Sequence, residues 1–375
     1  MRILFTGGGT GGHFFPILAV IRELRRIAEE ERILDLECYY MGPDDFGVPL
    51  LTEEDVVVIR VRAGKWRRYG SPENMLDALR IPVGLVQAVW NMFLVMPDAV
   101  FSKGGYGAVP AILAAAIFRI PIIIHESDAI PGKVNRFSAR FAARVGIAFP
   151  EAARHFPPNA QEKIALVGIP LRSRILFGSR EEAREAFDIY SAIPVVGIIG
   201  ASQGAQPLNN AVLGIVTELT AQYEVLHQTG EKHFENVKTE AGVALEFGHK
   251  ERYHPVGFLD ETGIRDFYTA CDLVVSRAGA SSIMEIAARG KPSIVVPLSH
   301  AAQNHQWENA FAYAASGAAV ILEEANVTPH VLLAEIKKLI DDPEKRAAMS
   351  KAALAFARPD SAAVVAKEIL KLGLH

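Results

Sequence analysis

Cysteine is almost missing from this chain of 375 residues. Cys38 and Cys271 are the only two, which excludes a disulfide framework and a cysteine-built zinc site. So few thiols in a chain this long suit a reducing compartment. A basic excess is missing too: the net charge is −4 and the isoelectric point is near 6.3, the wrong balance for a general nucleic-acid binder. Long apolar runs are also absent. Residues 108–124 are interrupted by Pro110, Arg119 and Pro121. Residues 83–97 contain Gln87 and Asn91 and fall short of the ~20 residues a membrane span needs. The start, MRILFTGGGTGGH, passes from a short apolar strand straight into glycines, without the apolar region of a secretory signal. The expectation is a chain that does not cross a membrane. Asp-x-Asp occurs nowhere, so a metal-bridged diphosphate site has no obvious ligands, and no metal site is expected. No Gly-Lys-Ser/Thr occurs either, which excludes a P-loop for nucleoside triphosphates.

What is present is a core-forming composition. Half of the residues are apolar and 22% are charged, so sizeable cores can be buried. At roughly 100–200 residues per domain, the length suggests two domains. Short β-branched runs at 2–6, 34–40, 55–61, 98–102, 121–125, 145–149, 164–168, 194–200, 223–228, 272–276, 293–297 and 319–322 read as strands. Amphipathic stretches such as 16–29, 108–118, 206–220, 281–289 and 302–316 lie between them. That alternation predicts βαβ units, parallel sheets and an α/β fold. One feature repeats at long range. Strand 2–6 runs into Gly7-Gly8-Gly9-Thr10-Gly11-Gly12 and a helix; strand 194–200 runs into Ala201-Ser202-Gln203-Gly204 and a helix. Each reads as the first turn of a nucleotide-binding-type domain. Two such domains stand in tandem, with a boundary near Gly168-Ile169-Pro170.

The first glycine loop satisfies G-x-G-x-x-G, which lets backbone N–H groups and a helix N-terminus approach an anion. A dinucleotide reading would want an acid closing the second strand, which instead ends Tyr39-Tyr40-Met41-Gly42. Anion or pyrophosphate contact is the better reading. His13 follows at the start of the helix, where the positive helix end favours a neutral imidazole base; a capping or packing histidine fits the spacing equally. Gly200-Ala201-Ser202-Gln203-Gly204 matches the nucleophile elbow of a serine hydrolase, with Asp272 and His300 or His305 as nominal partners. A phosphate held by the Ser202 hydroxyl and backbone N–H groups accounts better for a second glycine turn in the same place. Glu285 is three residues after Ser282 and either completes a capping box or accepts a ribose diol. The segment 300–309 follows a strand end and is rich in the Gln and Asn that read sugar hydroxyls. Lys65-Trp66-Arg67-Arg68-Tyr69 precedes the apolar stretch 83–96. It is either a charged loop before a core helix or a docking surface for an anionic membrane.

These segments, in this order, resemble the MurG family, the membrane-associated N-acetylglucosaminyltransferases that convert lipid I to lipid II in peptidoglycan synthesis. The resemblance spans nearly the whole chain: GGGTGGHFFPILA at 7–19, GKWRRY at 64–69, SKGGYGAVPAILAA at 102–115, HESDAIPGKVNR at 125–136, VGIPLR at 167–172, GASQGAQPLN at 200–209, SRAGASSIMEIAARGKPSIVVP at 276–297 and HQWENA at 305–310. Any one of these is unspecific, but the set is not.

The resemblance implies a GT-B fold, two Rossmann-like domains facing across a cleft. An acceptor and membrane-facing domain would cover 1–169, joined by a final helix at about 360–375. A UDP-GlcNAc-binding domain would cover 170–359. It implies His13 as the base for the muramyl 4-hydroxyl. Thr10, Gly11, Gly12 and Asp128 would belong to the donor-binding set, with the first loop facing the cleft, where it would also take the acceptor diphosphate. Arg172 and Ser202 would lie near the donor diphosphate, and the Leu259 backbone would meet the uracil. Ala280, Ser281, Ser282, Ile283, Met284 and Glu285 would line the nucleoside site, with His305 and Gln306 at the GlcNAc. Tyr106, Glu126 and Asn209 would belong to the cleft where acceptor binds. The implied partners are UDP-GlcNAc as a substrate rather than a cofactor, undecaprenyl-linked lipid I and an anionic membrane surface on its cytoplasmic face, and no nucleic acid. No cofactor is implied. The sequence departs from the family's His-Glu-Gln-Asn at Ser127-Asp128, an acid where a neutral amide is usual, and from Gly-Asn-Pro at Ile169.

Overall fold

In the computed structural model the described residues are 1–8, 11–33, 35–43, 47–64, 72–200, 204–299 and 304–374, without the side chains of 72–80. They form two compact units, Met1–Arg172 with Pro359–His375, and Ser173–Arg358.

The first unit begins with β1 (Arg2–Thr6), α1 (Gly11–Glu30), β2 (Glu37–Gly42), α2 (Val48–Glu53), β3 (Val57–Arg60) and α3 (Pro72–Val95). It continues through β4 (Ala99–Ser102), α4 (Val109–Ile117), β5 (Ile122–Glu126), α5 (Lys133–Ser138), β6 (Arg144–Ile147) and β7 (Ile164–Leu166). Its parallel strands lie in the order β3-β2-β1-β4-β5-β6-β7. The second unit runs α6 (Arg180–Glu185), β8 (Val195–Ile199), α7 (Gln206–Leu213), α8 (Val216–Thr220), β9 (Glu224–Gln228), α9 (Phe234–Ala244), β10 (Tyr253–Val256) and α10 (Glu261–Ala270). There follow β11 (Leu273–Arg277), α11 (Ala280–Ala288), β12 (Ser293–Val296), α12 (His305–Ala315), β13 (Ala319–Ile321), α13 (Pro329–Ile340) and α14 (Pro343–Phe356). Its order is β10-β9-β8-β11-β12-β13. Both sheets reverse their winding beside their first strand, the doubly wound arrangement that places ligands outside the strand C-termini at the reversal.

Each first strand is buried on both faces, and its alternation sorts residues between two cores. In β1, Leu4 joins the core under α3 and α4, while Ile3 and Phe5 join the core under α1. In β8, Val196 and Ile198 face α7 and α13, while Val195 and Ile199 face α10. Gly197 is the small residue on that second side. A Cβ there would lie 2.3 Å from Cys271 Sγ and 2.8 Å from the Phe267 ring. Cys271 is therefore packing material. Burial raises its thiol pKa to about 12 and that of Cys38 to about 11, so neither is a nucleophile at neutral pH.

Two elements differ from the sequence reading. Residues 206–220 form two helices, because the chain turns at Gly214-Ile215. Strand β10 reads poorly because it contains Pro255; it is an edge strand, where a missing N–H leaves no ladder partner unsatisfied. The last helix, α15 (Ser361–Gly373), packs its Val365, Ala366, Ile369 and Leu370 into the core of the first unit beside Ile17, Ile21 and Leu24 of α1. Arg144 on β6 anchors its outer side through Glu368 at 2.7 Å.

Removing a fully buried Ile side chain costs about 2–5 kcal/mol. Ile369→Ala should lower the unfolding free energy by that amount in urea titrations, and Val364→Ala on the exposed face should barely change it.

Candidate active site

In the first unit the ends of β1, β4 and β5 converge. The glycine loop after β1 is held from β2, where the buried Tyr40 hydroxyl donates to the Gly7 carbonyl at 2.6 Å. Gly7 has no room for a side chain, since a Cβ would lie 2.9 Å from Ile17 and 3.1 Å from the Lys103 Cβ. Gly104 and Gly105 follow β4 with φ of +79° and +81°. A Cβ at 104 would sit 2.4 Å from Asn135 Oδ1, and one at 105 would sit 3.3 Å from the Gly8 carbonyl and 3.9 Å from His13 Nε2. The backbone of β4's end thus passes directly against the glycine loop and the imidazole. Only glycine permits both the conformation and the approach.

Gly11, Gly12 and His13 open α1, and His13 is half-buried. Desolvation and then the Lys103 charge lower its pKa to about 4, with Asp128 acting in the opposite direction. It is a neutral imidazole at pH 7 and can accept a proton. Tyr106 stands in the next turn, half-buried. Glu126, the last residue of β5, is 5% exposed and holds the following loop by accepting from the backbone N–H groups of Asp128 and Gly132, both at 3.0 Å, and from Asn135 Nδ2 at 2.9 Å. Burial, then the neighbouring Asp128 charge, raise its pKa. Its carboxylate is committed to shaping the loop that carries Asp128, which is half-buried. Arg172 closes the first unit; it is 8% exposed and stacks its guanidinium 4.3 Å from the centre of the Phe15 ring.

In the second unit α11 follows β11 with Gly279 as N-cap. Ser282 is therefore inside the helix, and the capping box suggested by its spacing to Glu285 does not form. Glu285 instead accepts from the Tyr268 hydroxyl of α10 at 3.2 Å, and Leu259 packs in the same core as Tyr268. Ser281, Ser282 and Glu285 are half-buried on one side of α11, while Ala280, Ile283 and Met284 turn inward. At the start of α12, His305 is half-buried, and Gln306 Oε1 accepts from the Leu298 N–H at 3.1 Å, tying the helix to the end of β12. Asn209 is fully buried. Its amide donates to the Thr229 carbonyl at 3.0 Å, and its oxygen pairs with His227 Nε2 at 3.1 Å. These bonds tie the start of α7 to the exit of β9. Thr10 and Ser202 lie outside the described residues, as do the 65–69 basic-aromatic segment and His300.

Sequence reasoning passed over Lys103, His125, Tyr268 and His227, all now seen to organise these ends. A lysine closing a four-residue apolar strand and followed by two glycines was the available signal for the first.

Two doubly wound domains, each with a glycine turn at its reversal point, define the class of protein: tandem nucleotide-binding-type domains. The glycosyltransferase family 28 N-terminal domain matches residues 3–147 and the C-terminal domain of that family matches 195–365. The UDP-N-acetylglucosamine–N-acetylmuramyl-(pentapeptide) pyrophosphoryl-undecaprenol N-acetylglucosamine transferase of Halalkalibacterium halodurans is 33% identical over 99% of this chain and 100% of its own. The crystal structure of MurG from Acinetobacter baumannii superposes with a TM-score of 0.76 at 26% identity, covering 99% of both chains. A UDP-GlcNAc 2-epimerase from Neisseria meningitidis, at 13% identity and a TM-score of 0.70 over 99% of this chain and all of its own, shares the fold. The chain belongs to glycosyltransferase family 28 and, within it, to the MurG family.

His13, His125 and the fully buried His227 all have lowered pKa values, about 4 for the first and about 3 for the last. The unfolded chain, with histidines near ~6.5, binds more protons than the folded one below that pH, so acid destabilises the fold. Urea midpoints should be level between about pH 7 and 8, below the Lys103 titration, and fall between pH 6.5 and 4. His227→Gln should reduce the slope within that window.

Proposed function

We propose that this chain transfers GlcNAc from UDP-GlcNAc to the 4-hydroxyl of the muramyl sugar of lipid I, with inversion at the anomeric carbon. Membership of the family and a neutral His13 at the head of α1 carry the reading together. The acceptor diphosphate is assigned to the first glycine loop and the N-terminus of α1, where N–H groups and the helix dipole favour an anion. His13 takes the proton of the attacking hydroxyl as the C–O bond to the sugar forms and the bond to UDP breaks. General-base help of this kind is typically worth ~10²–10⁴-fold.

The donor is assigned to the second unit. Glu285, oriented by Tyr268, accepts hydrogen bonds from the ribose diol, the Leu259 backbone meets the base, and His305 and Gln306 meet the GlcNAc. Charge on the departing diphosphate is met by Ser202, by the N-termini of α7 and α11, and by Arg172. Preorganised donors of that kind are worth ~10²–10³-fold each. Fixed positive ends are sufficient in this scheme, and no metal step is assigned.

Among the described residues no helix is long and apolar enough to cross a membrane. Helix α3 instead splits its apolar residues: Ala88 and Met92 are fully buried, while Val86, Trp90, Phe93 and Leu94 are each more than half exposed. An exposed apolar stripe of this size suits an interfacial helix. The first unit also has a cavity lined by Lys133, Arg136, Arg140 and Arg154, so cations are available for anionic headgroups. The proposed location is the cytoplasmic face of the bacterial membrane, bound peripherally.

UDP release from UDP-GlcNAc, measured with and without a short-chain lipid I analogue, tests the reaction. Release should depend on the acceptor. In His13→Ala it should fall by about 10²-fold or more, while the KM for UDP-GlcNAc stays within a factor of about two. Acceptor-independent release, or full activity in the variant, would overturn the assignment. Glu285→Ala should raise the UDP-GlcNAc KM on the order of tenfold, the worth of about one hydrogen bond to a charged group. Trp90→Asp with Phe93→Asp should abolish co-sedimentation with vesicles rich in anionic lipid and leave the turnover of a water-soluble acceptor analogue unchanged.

A further inference from the structure

Lys103 is the most thoroughly buried cation among the described residues, 2% exposed, and it closes β4 at the point where the sheet reverses. Its ammonium donates to His125 Nδ1 at 2.7 Å and to the Ser127 hydroxyl. A cation on Nδ1 fixes the tautomer: His125 carries its proton on Nε2 and donates it to the Gly168 carbonyl at 2.7 Å. One side chain therefore joins the ends of β4 and β5, the loop after β5 and the turn after β7. The same residue lies under the glycine loop, since its N–H donates to the Thr6 carbonyl at 2.9 Å and its Cβ abuts Gly7. Of the two glycines that follow it, Gly104 packs against Asn135 and Gly105 passes beside His13 Nε2.

An unpaired buried ammonium costs far more than a hydrocarbon of the same shape. Among the described residues two neutral acceptors and no carboxylate touch the ammonium, an expensive way to hold three loops together, so the charge itself invites a use. We propose that Lys103 is a positioning residue, whose ammonium locks the loop of Asp128 beneath the glycine loop and sets the electrostatic environment in which His13 works. The inference rests on the reading of His13 as the base.

The titratable groups that face Lys103 are few. From α1 it meets His13, from β5 His125 and Glu126, and from the following loop Asp128; α5 contributes the neutral amide of Asn135. The two carboxylates favour its charged form while burial opposes it, and the balance brings its pKa down to about 8. Its charge in turn disfavours protonation of both imidazoles. At neutral pH the site holds one buried cation, and His13 remains neutral beside it.

The test is an NMR titration of the His13 ring in the full-length protein, which needs no activity. Replacing the charge with an isosteric hydrocarbon, Lys103→Met, should move the His13 midpoint up by about one unit, and the acid limb of the kcat/KM profile should move with it. The UDP-GlcNAc KM should stay within about twofold. A His13 midpoint that does not move in folded Lys103→Met overturns the proposal. If that variant does not fold, the unmodified protein decides. Its His13 resonances should show a second inflection near pH 8, where Lys103 loses its proton, and Ser127→Ala should bring that inflection to lower pH. A wild-type titration without that inflection overturns the proposal equally. A His13 midpoint that shifts in a protein showing no acceptor-dependent UDP release would sustain the positioning role and remove the transferase reading instead.

Discussion

A parallel strand buried on both faces has one place left for polar chemistry, its C-terminal end. That constraint governs both units of this chain. β1 and β8 carry no charged side chain facing either core, and their neighbours β4 and β11 are equally dry until the last one or two residues. The polar residues assigned to the site stand at the rim where the strands stop: His13 after β1, Lys103 after β4, Glu126 at the end of β5, Glu285 after β11, Gln306 after β12. The reversal of winding then pulls two of those rims apart at one place in each sheet and leaves room for a ligand. The site is a consequence of how the core must be built.

The same constraint explains how much of this was legible in the amino-acid order. Strand alternation and the two glycine turns carry the fold class, because periodicity and backbone freedom are local properties. Leu4 against Ile3 and Phe5, or Val196 against Val195, can be read from spacing. What spacing cannot carry is the identity of a long-range partner. Glu285 and Ser282 have the separation of a capping box, yet the helix begins at Gly279 and the carboxylate turns to Tyr268 from another helix. Asn209 follows the second glycine turn as a ligand-facing amide would. Its amide bonds to His227 and Thr229, which are 18 and 20 residues away, and neither partner can be read from spacing. Pro255 hides an edge strand because the sheet order that makes it harmless is not a local property either. The separation of a buried strut from a ligand contact is a tertiary fact.

Buried histidines recur on both sides of that distinction. His227 is enclosed between the Tyr253 hydroxyl at 2.9 Å and Asn209, and burial alone accounts for its low pKa. It is a neutral hydrogen-bonding bridge that sets the exit of β9. His125 is enclosed likewise, but one of its partners is a cation, so its tautomer is imposed. His13 differs from both: it is only half-buried and stands at a helix N-terminus, where the dipole and a nearby ammonium act in the same direction. Three imidazoles are thus kept neutral by three different mixtures of desolvation and charge. Of the three, only His13 is left partly open to solvent.

Neutrality of that kind has a thermodynamic consequence that the fold must absorb. Each lowered histidine and the lowered lysine are groups for which the folded state gives up protons that the unfolded chain would keep, so all of them press the fold toward instability as pH falls. A protein selected only for stability would replace Lys103 by a hydrocarbon and His125 by another, since paired apolar side chains of similar volume are often neutral or better. The chain instead surrounds this cluster with rigid neighbours. Tyr40 pins the glycine loop, Glu126 gathers two backbone N–H groups and an amide, and α15 returns to close the core behind α1. The burial of Ile369, Leu370 and their neighbours supplies stability in the layer behind α1, and the charged layer sits at the strand ends.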